Sequence, residues 1–506
     1  MTELKNLLNR LEDVPLSGMR RGIEKESLRA RADGTLATTP HPEALGSPLT
    51  HEQITTDFSE SQLELITGAH TSVEATLEEL SHIHQAVYQA IGEEILWGAS
   101  MPCALPADDD IPLGRYGSSN VGRAKTVYRR GLGYRYGRRM QTISGIHYNW
   151  SLPGRSSEQY FALVRSFRRN AWLLFYLYGA SPAVCESFVQ GHPKHGLQLL
   201  APGTLHLPHA TSLRMGRLGY QSDAQSRLAV SFNSLAEYGA SLYDALVTPY
   251  PPYEKIGLKD DKGEYKQLAT SLLQIENEFY GKIRPKRRIR PGERPLHALR
   301  DRGVEYVEVR LMDLDPFSPI GISAPVCRFL DVFLLHCLLI DSPPDSREEI
   351  AAINRNQDRV AARGREPGLA LQRGAEEVAL KDWGRELLAQ LAALAERVDA
   401  AFGGAAYRDA VAVAAGVLED PQAAPSARVL HAMQRNHGGS YLRFVLAESL
   451  LHRGSLAGTP LPPKVAQQFG AAARASLAEQ RDIEASDRVD FETYRRQYLD
   501  PSKLKI

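Results

Sequence analysis

Val304-Glu305-Tyr306-Val307-Glu308-Val309-Arg310-Leu311-Met312 alternates with a period of two. Val307, Val309 and Leu311 point one way, while Tyr306, Glu308 and Arg310 point the other. Such a strand buries one side and presents an acid and a base on the opposite side. The pattern recurs in Met140–Ser151, where Ile146, Tyr148 and Trp150 share one parity and Gln141, His147 and Asn149 the other. In Ile275–Tyr280, Ile275 and Phe279 oppose Glu276, Glu278 and Tyr280. Glu24 and Glu26 project together in Gly22–Arg29, although the opposite side (Ile23, Lys25, Ser27) is not convincingly apolar. The stretch Asp57–Thr67 adds Asp57, Glu60 and Glu64.

Each strand alone reads as half-solvated, as antiparallel strands commonly are. Four such strands, one carrying Glu308 beside Arg310 and another a histidine and an asparagine, point to a shared acidic concavity. Repulsion among its carboxylates is offset most directly by hard cations such as Mg²⁺ with oxygen ligands. The basic run Lys282, Arg284, Lys286, Arg287, Arg288 and Arg290 directly follows the Glu276–Tyr280 stretch and reads as a phosphate clamp at the exit of a carboxylate-bearing strand. Its rivals are an RNA-contacting patch and a merely solvated loop. His192-x-x-His195 and His206-x-x-His209, with Cys185 nearby, have zinc-ligand spacing, but lie in a Gly/Pro-rich segment expected to be exposed.

Hydrophobic residues make up 43% and charged residues 24% of 506, which excludes wholesale disorder, collagen-like repeats and a coiled-coil rod. Sixty basic residues balance sixty acidic ones, so no global field draws the chain to nucleic acid or an anionic membrane. The longest apolar stretches fall short of the roughly 20 residues that span a bilayer. With no signal-peptide pattern, the expected location is cytoplasmic. Cys103, Cys185, Cys327 and Cys337 form no CxxC and read as incidental thiols in a reducing compartment.

Strand-like and helix-like segments alternate irregularly to about residue 330, which makes the expected class α+β. Apolar positions from Val73 to Ile95 predict one amphipathic helix. A second helix is expected from Ser156–Ser157 to Tyr178 and a third over about 326–340. Further helices are expected at 374–402, 405–418, 425–452 and 464–485. Residues 107–139, with six glycines, eight basic residues and four tyrosines, read as a mobile loop able to act as a lid. The expected division is a catalytic domain at 1–345 and a mainly helical extension at 346–506 packed on it.

Several blocks are also familiar in combination. Gly22-Ile-Glu-Lys-Glu-Ser-Leu-Arg29, Thr55-Thr-Asp-Phe-Ser-Glu-Ser-Gln-Leu-Glu-Leu-Ile-Thr67, Tyr116-Gly-Ser-Ser-Asn-Val-Gly-Arg123 and Met140-Gln-Thr-Ile-Ser-Gly-Ile-His-Tyr-Asn149 resemble the proteobacterial type of glutamate–cysteine ligase. So do Ala210-Thr-Ser-Leu-Arg214 with Gly219-Tyr220, Leu273-Gln-Ile-Glu-Asn-Glu-Phe-Tyr280, Ile283-Arg-Pro-Lys-Arg287 and Val304–Arg310, in the same order. The resemblance implies a glutamine-synthetase-like antiparallel sheet forming a funnel-like active site, with surrounding helices and a helical C-terminal part. It implies ATP-dependent joining of the glutamate γ-carboxylate to the cysteine amine through γ-glutamyl phosphate, the first step of glutathione synthesis.

Carried over by motif, Glu24, Glu26, Asp57, Glu64, His147 and Glu308 are expected around two or three Mg²⁺ ions, with Mn²⁺ able to substitute. Arg284, Lys286, Arg287 and Arg310 are expected on ATP, with Glu308 and Arg310 as the catalytic pair. Arg214, Gln141 and Arg129 are the expected glutamate contacts. Phe58, Tyr128, Tyr220 and Tyr280 are the expected wall of the cysteine pocket. Glutathione is implied as a feedback inhibitor, and neither nucleic acid nor membrane as a partner. Two other readings stay open: a carboxylate–amine ligase with a different acceptor, and a degenerate nucleotide- or RNA-binding protein.

Overall fold

The computed structural model describes residues 2–504 apart from 12–13, 192–194, 219–223, 225–227, 229 and 291, and the side chains of residues 2–4. Its centre is a seven-stranded antiparallel sheet: β1 (Arg20–Ala30), β2 (Ile54–Thr56), β3 (Gln62–Ile66), β4 (Ile95–Leu96), β5 (Ile146–Ser151), β9 (Ile283–Lys286) and β10 (Tyr306–Met312). The spatial order is β2-β3-β1-β5-β10-β9, with β4 on the end of β1. A second sheet, in the order β6-β8-β7, comprises β6 (Ala183–Cys185), β7 (Gln198–Ala201) and β8 (Thr204–His206). The fold is α+β, with helices around the sheet and a C-terminal part that is almost wholly helical.

The period-two reading decides which side of the main sheet is buried. Ile23, Leu63, Leu65, Tyr148, Trp150, Val307 and Val309 are sealed in one core with α2 (Val73–Ala90) and the helix Ala324–Leu339. Burying this many large apolar side chains, each worth roughly 1.5–3 kcal/mol, is what holds the sheet to its helices. Lys25 and Ser27 on β1 point the same way and are also buried. Their polar atoms are satisfied: the Lys25 Nζ is 2.9 Å from Ser27 Oγ and 2.8 Å from His84 Nε2 of α2. Arg21 and Asp331, both fully buried, pair at 2.9 Å behind the sheet, where the Tyr148 hydroxyl donates to Asp331 at 2.8 Å.

Several sequence expectations are corrected here. Residues 107–139 are not a loop, because α3 (Asn120–Tyr136) occupies half of them, capped by the Ser119 side chain. Gly117 and Gly137, at positive φ, flank the helix, while Gly122, Gly131 and Gly133 lie within it. A Cβ on Gly131 would collide with the Gln274 side chain. Glu276–Glu278 is a 3₁₀ turn rather than a strand, and the strand is β9, inside the basic run that follows it. The expected long helix after Ser156 breaks at Ala171 into α4 (Ser157–Asn170) and α5 (Trp172–Tyr178).

Residues 370–379 form a hairpin before the helix Leu380–Phe402. Gly438 and Gly439, both at positive φ, split the expected helix at 425–452 into Pro425–His437 and Tyr441–Ala457. The expected four free thiols are also corrected: Cys103 and Cys185 pair, with Cα atoms 5.3 Å apart, leaving Cys327 and Cys337 as buried thiols. Among the described residues no helix is long and apolar enough to cross a membrane.

Candidate active site

Strand register assembles the side chains of the other parity into a row across the sheet. Glu26 of β1 lies opposite Glu64 of β3, and Glu24 opposite His147 of β5. Glu308 of β10 lies opposite Asn149 on one side and Arg284 of β9 on the other. Directly opposed residues share a face, so five strands deliver their polar groups to one surface. A register shift in the β5–β10 pairing beyond Val309 is a local irregularity of the kind that re-aims side chains beside sites.

His147 is the hub. Its Nδ1 is 3.0 Å from Glu24 Oε2 and 3.8 Å from Glu308 Oε1, and its Nε2 is 3.5 Å from Glu26 Oε1. Asn149 donates to Glu24 Oε1 at 2.9 Å. Ligand atoms of Glu24, Glu64 and His147 all lie within 4.8 Å of one another.

Charge at the two ends of this row differs. Burial pushes the Glu64 carboxyl well above its usual range, and the neighbouring Glu24, Asp57 and Glu26 push it further. Burial and Asp57 likewise raise Glu26 to about 8, against Arg214 and Arg310. For Glu308, burial is overcome by Lys286 at 3.2 Å and Arg310 at 3.1 Å, with His147 and Arg284 behind them, so its carboxyl sits well below the usual range. His147 is lowered by burial and by Arg310. One end is therefore short of positive charge, and the other is a carboxylate set among cations. Oxygen donors with one imidazole fit Mg²⁺ or Mn²⁺, and a cation would relieve the strain at Glu64 and Glu26.

The remaining predicted residues fall around this row. Arg129 of α3 donates to the Asp57 carbonyl oxygen and stacks on the Tyr116 ring at 4.5 Å. Tyr280 donates to Gln141 Oε1 at 2.9 Å, and its ring meets that of Tyr136 edge-on at 5.8 Å. Arg214 is buried, with Nη2 donating to the Arg310 carbonyl at 3.0 Å. Phe58 is buried near Gly133 of α3, and Tyr128 projects from the same helix. Arg284 and Lys286 share the parity of the row. Arg287 does not, and instead donates to the Arg302 carbonyl at 2.7 Å and pairs with Glu305 at 3.5 Å. Tyr220 and His192 lie outside the described residues.

Three other carboxylates of the same sequence pattern serve the scaffold. Glu60 accepts backbone N–H groups of His41 and Arg115. Glu276 pairs with Arg294, and Glu278 with fully buried Arg135 at 2.7 Å. Of the expected zinc-like histidines, His195 accepts the Leu197 N–H at 3.0 Å and His206 meets the Gln198 carbonyl at 3.2 Å.

Sequence reasoning did not single out Lys125 or Asp313. Lys125 precedes Arg129 by one helical turn, lies 5.1 Å over the same Tyr116 ring, and is lowered by burial to about 8. That spacing was a readable signal. Asp313 is 3.6 Å from Arg214, and no local pattern connects positions so far apart in the chain.

Residues 4–360 match the family model described as glutamate–cysteine ligase. The chain belongs to the glutamate–cysteine ligase family. It is 47% identical to a glutamate–cysteine ligase of Alcanivorax borkumensis over 97% of this chain and 98% of that protein. It is 50% identical to one from Azotobacter vinelandii over 94% and 93%. Among solved structures, a glutamate–cysteine ligase from Francisella tularensis in complex with AMP superposes with a TM-score of 0.91 at 37% identity, covering 96% of this chain and 98% of that one. A bifunctional glutathione synthetase from Pasteurella multocida gives 0.66 at 26% identity, covering 99% and 58%. The family's AMP-bound member agrees with a nucleotide-using ligase.

Proposed function

We propose that this protein ligates the γ-carboxylate of glutamate to the amine of cysteine, using ATP as co-substrate, in the first step of glutathione synthesis and in the cytoplasm. The observation that carries this reading is the row from Glu64 to Arg284, in which a cation-deficient carboxylate cluster adjoins a cation-rich one. A carboxylate is a poor electrophile, so it first takes the γ-phosphoryl group of ATP to give γ-glutamyl phosphate. Arg284, Lys286 and Arg310 supply positive charge where the phosphates and the glutamate carboxylate meet. Glu308, held between Lys286 and Arg310, keeps those two cations oriented.

Glu24, Glu26, Asp57, Glu64, His147 and Glu308 would hold two or three Mg²⁺ ions. When bound, these neutralise charge on the transferring phosphoryl group. Arg214, Gln141 and Arg129 hold glutamate, and Phe58, Tyr128 and Tyr280 wall the cysteine pocket. The cysteine amine then attacks the acyl carbon and inorganic phosphate leaves. The aromatic wall excludes water, which would otherwise hydrolyse the acyl phosphate. Glutathione, which contains the γ-glutamyl group, competes for the glutamate contacts. The helical residues 346–506 are an extension packed on the catalytic part at 1–345.

Phosphate release from ATP is to be measured with Mg²⁺ and glutamate, with cysteine present or replaced by other amines. Cysteine-dependent release with γ-glutamylcysteine in the mass spectrum is expected. Release with another amine only would replace the named acceptor. No amine-dependent release would overturn the ligase assignment.

A further inference from the structure

We infer that Gly145 and Asp313 are positioning residues that hold the Arg214 guanidinium in place, so that the amino-acid anchor keeps a set distance from the metal-facing Glu26. The inference deepens the proposed function and rests on its assignment of Arg214 to glutamate.

Arg214 is 2% exposed, so its guanidinium is placed by its neighbours rather than by water. Asp313, immediately beyond β10, approaches Arg214 Nη1 at 3.6 Å. Asp313 is itself anchored, accepting the Ala180 N–H at 2.9 Å and the Ser212 hydroxyl at 3.0 Å. On the other side lies Gly145. Its N–H donates to Glu26 Oε2 at 2.8 Å, and its carbonyl accepts the Glu26 N–H at 3.0 Å. A Cβ at Gly145 would overlap Arg214 Nη2 and stand 2.5 Å from Cζ and 2.9 Å from Nε.

Gly145 is not among the glycines at positive φ, so its backbone accepts alanine and the space taken by Arg214 is the obstacle. The missing side chain therefore lets one residue grip Glu26 through its backbone while the guanidinium lies against its α-carbon. A methyl group there displaces the guanidinium and leaves the Glu26 hydrogen bonds available. A displacement near 1 Å of a substrate-holding group is enough to impair catalysis severely.

The test compares Gly145→Ala, Arg214→Ala, the double variant and Asp313→Asn, measuring KM for glutamate and for ATP separately, with thermal melting. Gly145→Ala is expected to raise KM for glutamate tenfold or more and leave KM for ATP within about twofold. In the double variant the clash is gone, so its KM for glutamate should be no worse than that of Arg214→Ala and its melting temperature should recover. A general structural role would produce neither effect. Asp313→Asn is expected to raise KM for glutamate alone, and decides the matter if Gly145→Ala fails to fold.

A native KM for glutamate in Gly145→Ala, or additive losses in the double variant, overturns the inference while Arg214→Ala remains impaired. A native KM for glutamate in Arg214→Ala instead overturns the assignment of Arg214 in the proposed function, and the inference with it.

Discussion

Glu308→Gln removes one negative charge at the junction of the two halves of the site while preserving side-chain shape. Glu308 is 1% exposed and has two cations within 3.2 Å, Arg310 at 3.1 Å and Lys286 at 3.2 Å. At an effective dielectric constant of about 20, each contact represents on the order of 5 kcal/mol of gross attraction. Most of that offsets desolvation, and truncating one partner of a buried pair typically costs about 3–5 kcal/mol. Transferred to the reaction barrier, that is a loss of roughly 200- to 5,000-fold in turnover. The fold should survive, because the side chains of Lys286 and Arg310 are 29% and 21% exposed and water can hydrate them. The melting temperature should fall by only a few degrees.

A second consequence separates this account from simple damage. With the carboxylate gone, Arg284, Lys286 and Arg310 face the cleft with no local counter-charge from Glu308. Binding of ATP in the absence of Mg²⁺, measured by calorimetry, should become tighter than in the native protein even as turnover collapses. Near-native turnover with an ordinary Mg²⁺ dependence would refute the placement of Glu308 in the reaction. Weaker metal-free ATP binding would refute the electrostatic account.

Other perturbations probe the surroundings. Tyr280→Phe loses the hydroxyl bond to Gln141, worth about 1 kcal/mol, so kcat/KM for cysteine should fall about fivefold with KM for ATP unchanged. Asp487 accepts the Asn120 N–H at 2.6 Å at the start of α3, and Asp487→Ala removes about 1 kcal/mol of capping. Because α3 carries Tyr128 and Arg129, KM for the amino-acid substrates should rise a few-fold alongside a small drop in melting temperature. Burial pushes the Lys25 ammonium down from 10.5 to about 7, so folding expels a proton that the unfolded chain keeps to higher pH. Its penalty is full below pH 7 and fades between pH 7 and 10.5. Urea unfolding should therefore show the native protein gaining roughly 2 kcal/mol relative to Lys25→Met between pH 7 and 9.

Alternation along Gly22–Arg29, Met140–Ser151 and Val304–Met312 was enough to say that strands carry carboxylates and a histidine on one side, because side-chain parity is a local property of an extended backbone. The ordered motifs identified the family for the same reason: they are read in sequence, without contacts. What alternation could not decide is which acids meet. Glu276 and Glu278 look in sequence like Glu24 and Glu26, yet they neutralise Arg294 and Arg135 in the scaffold.

Antiparallel register is what opposes Glu26 to Glu64 and Glu24 to His147, and register depends on pairing between strands far apart in the chain. The helix through residues 120–136 was hidden because its glycines signal flexibility locally, yet Gly131 fits against Gln274, Gly122 against Tyr116 and Gly133 against Arg138 in the folded protein. The pairing of Cys103 with Cys185, and of Asp313 with Arg214, is decided only when distant segments pack together. Residue types and their parity belong to the sequence. Their convergence, and the charge each group carries once buried among the others, belongs to the tertiary structure, because burial and Coulomb interactions depend on neighbours that sequence order does not specify.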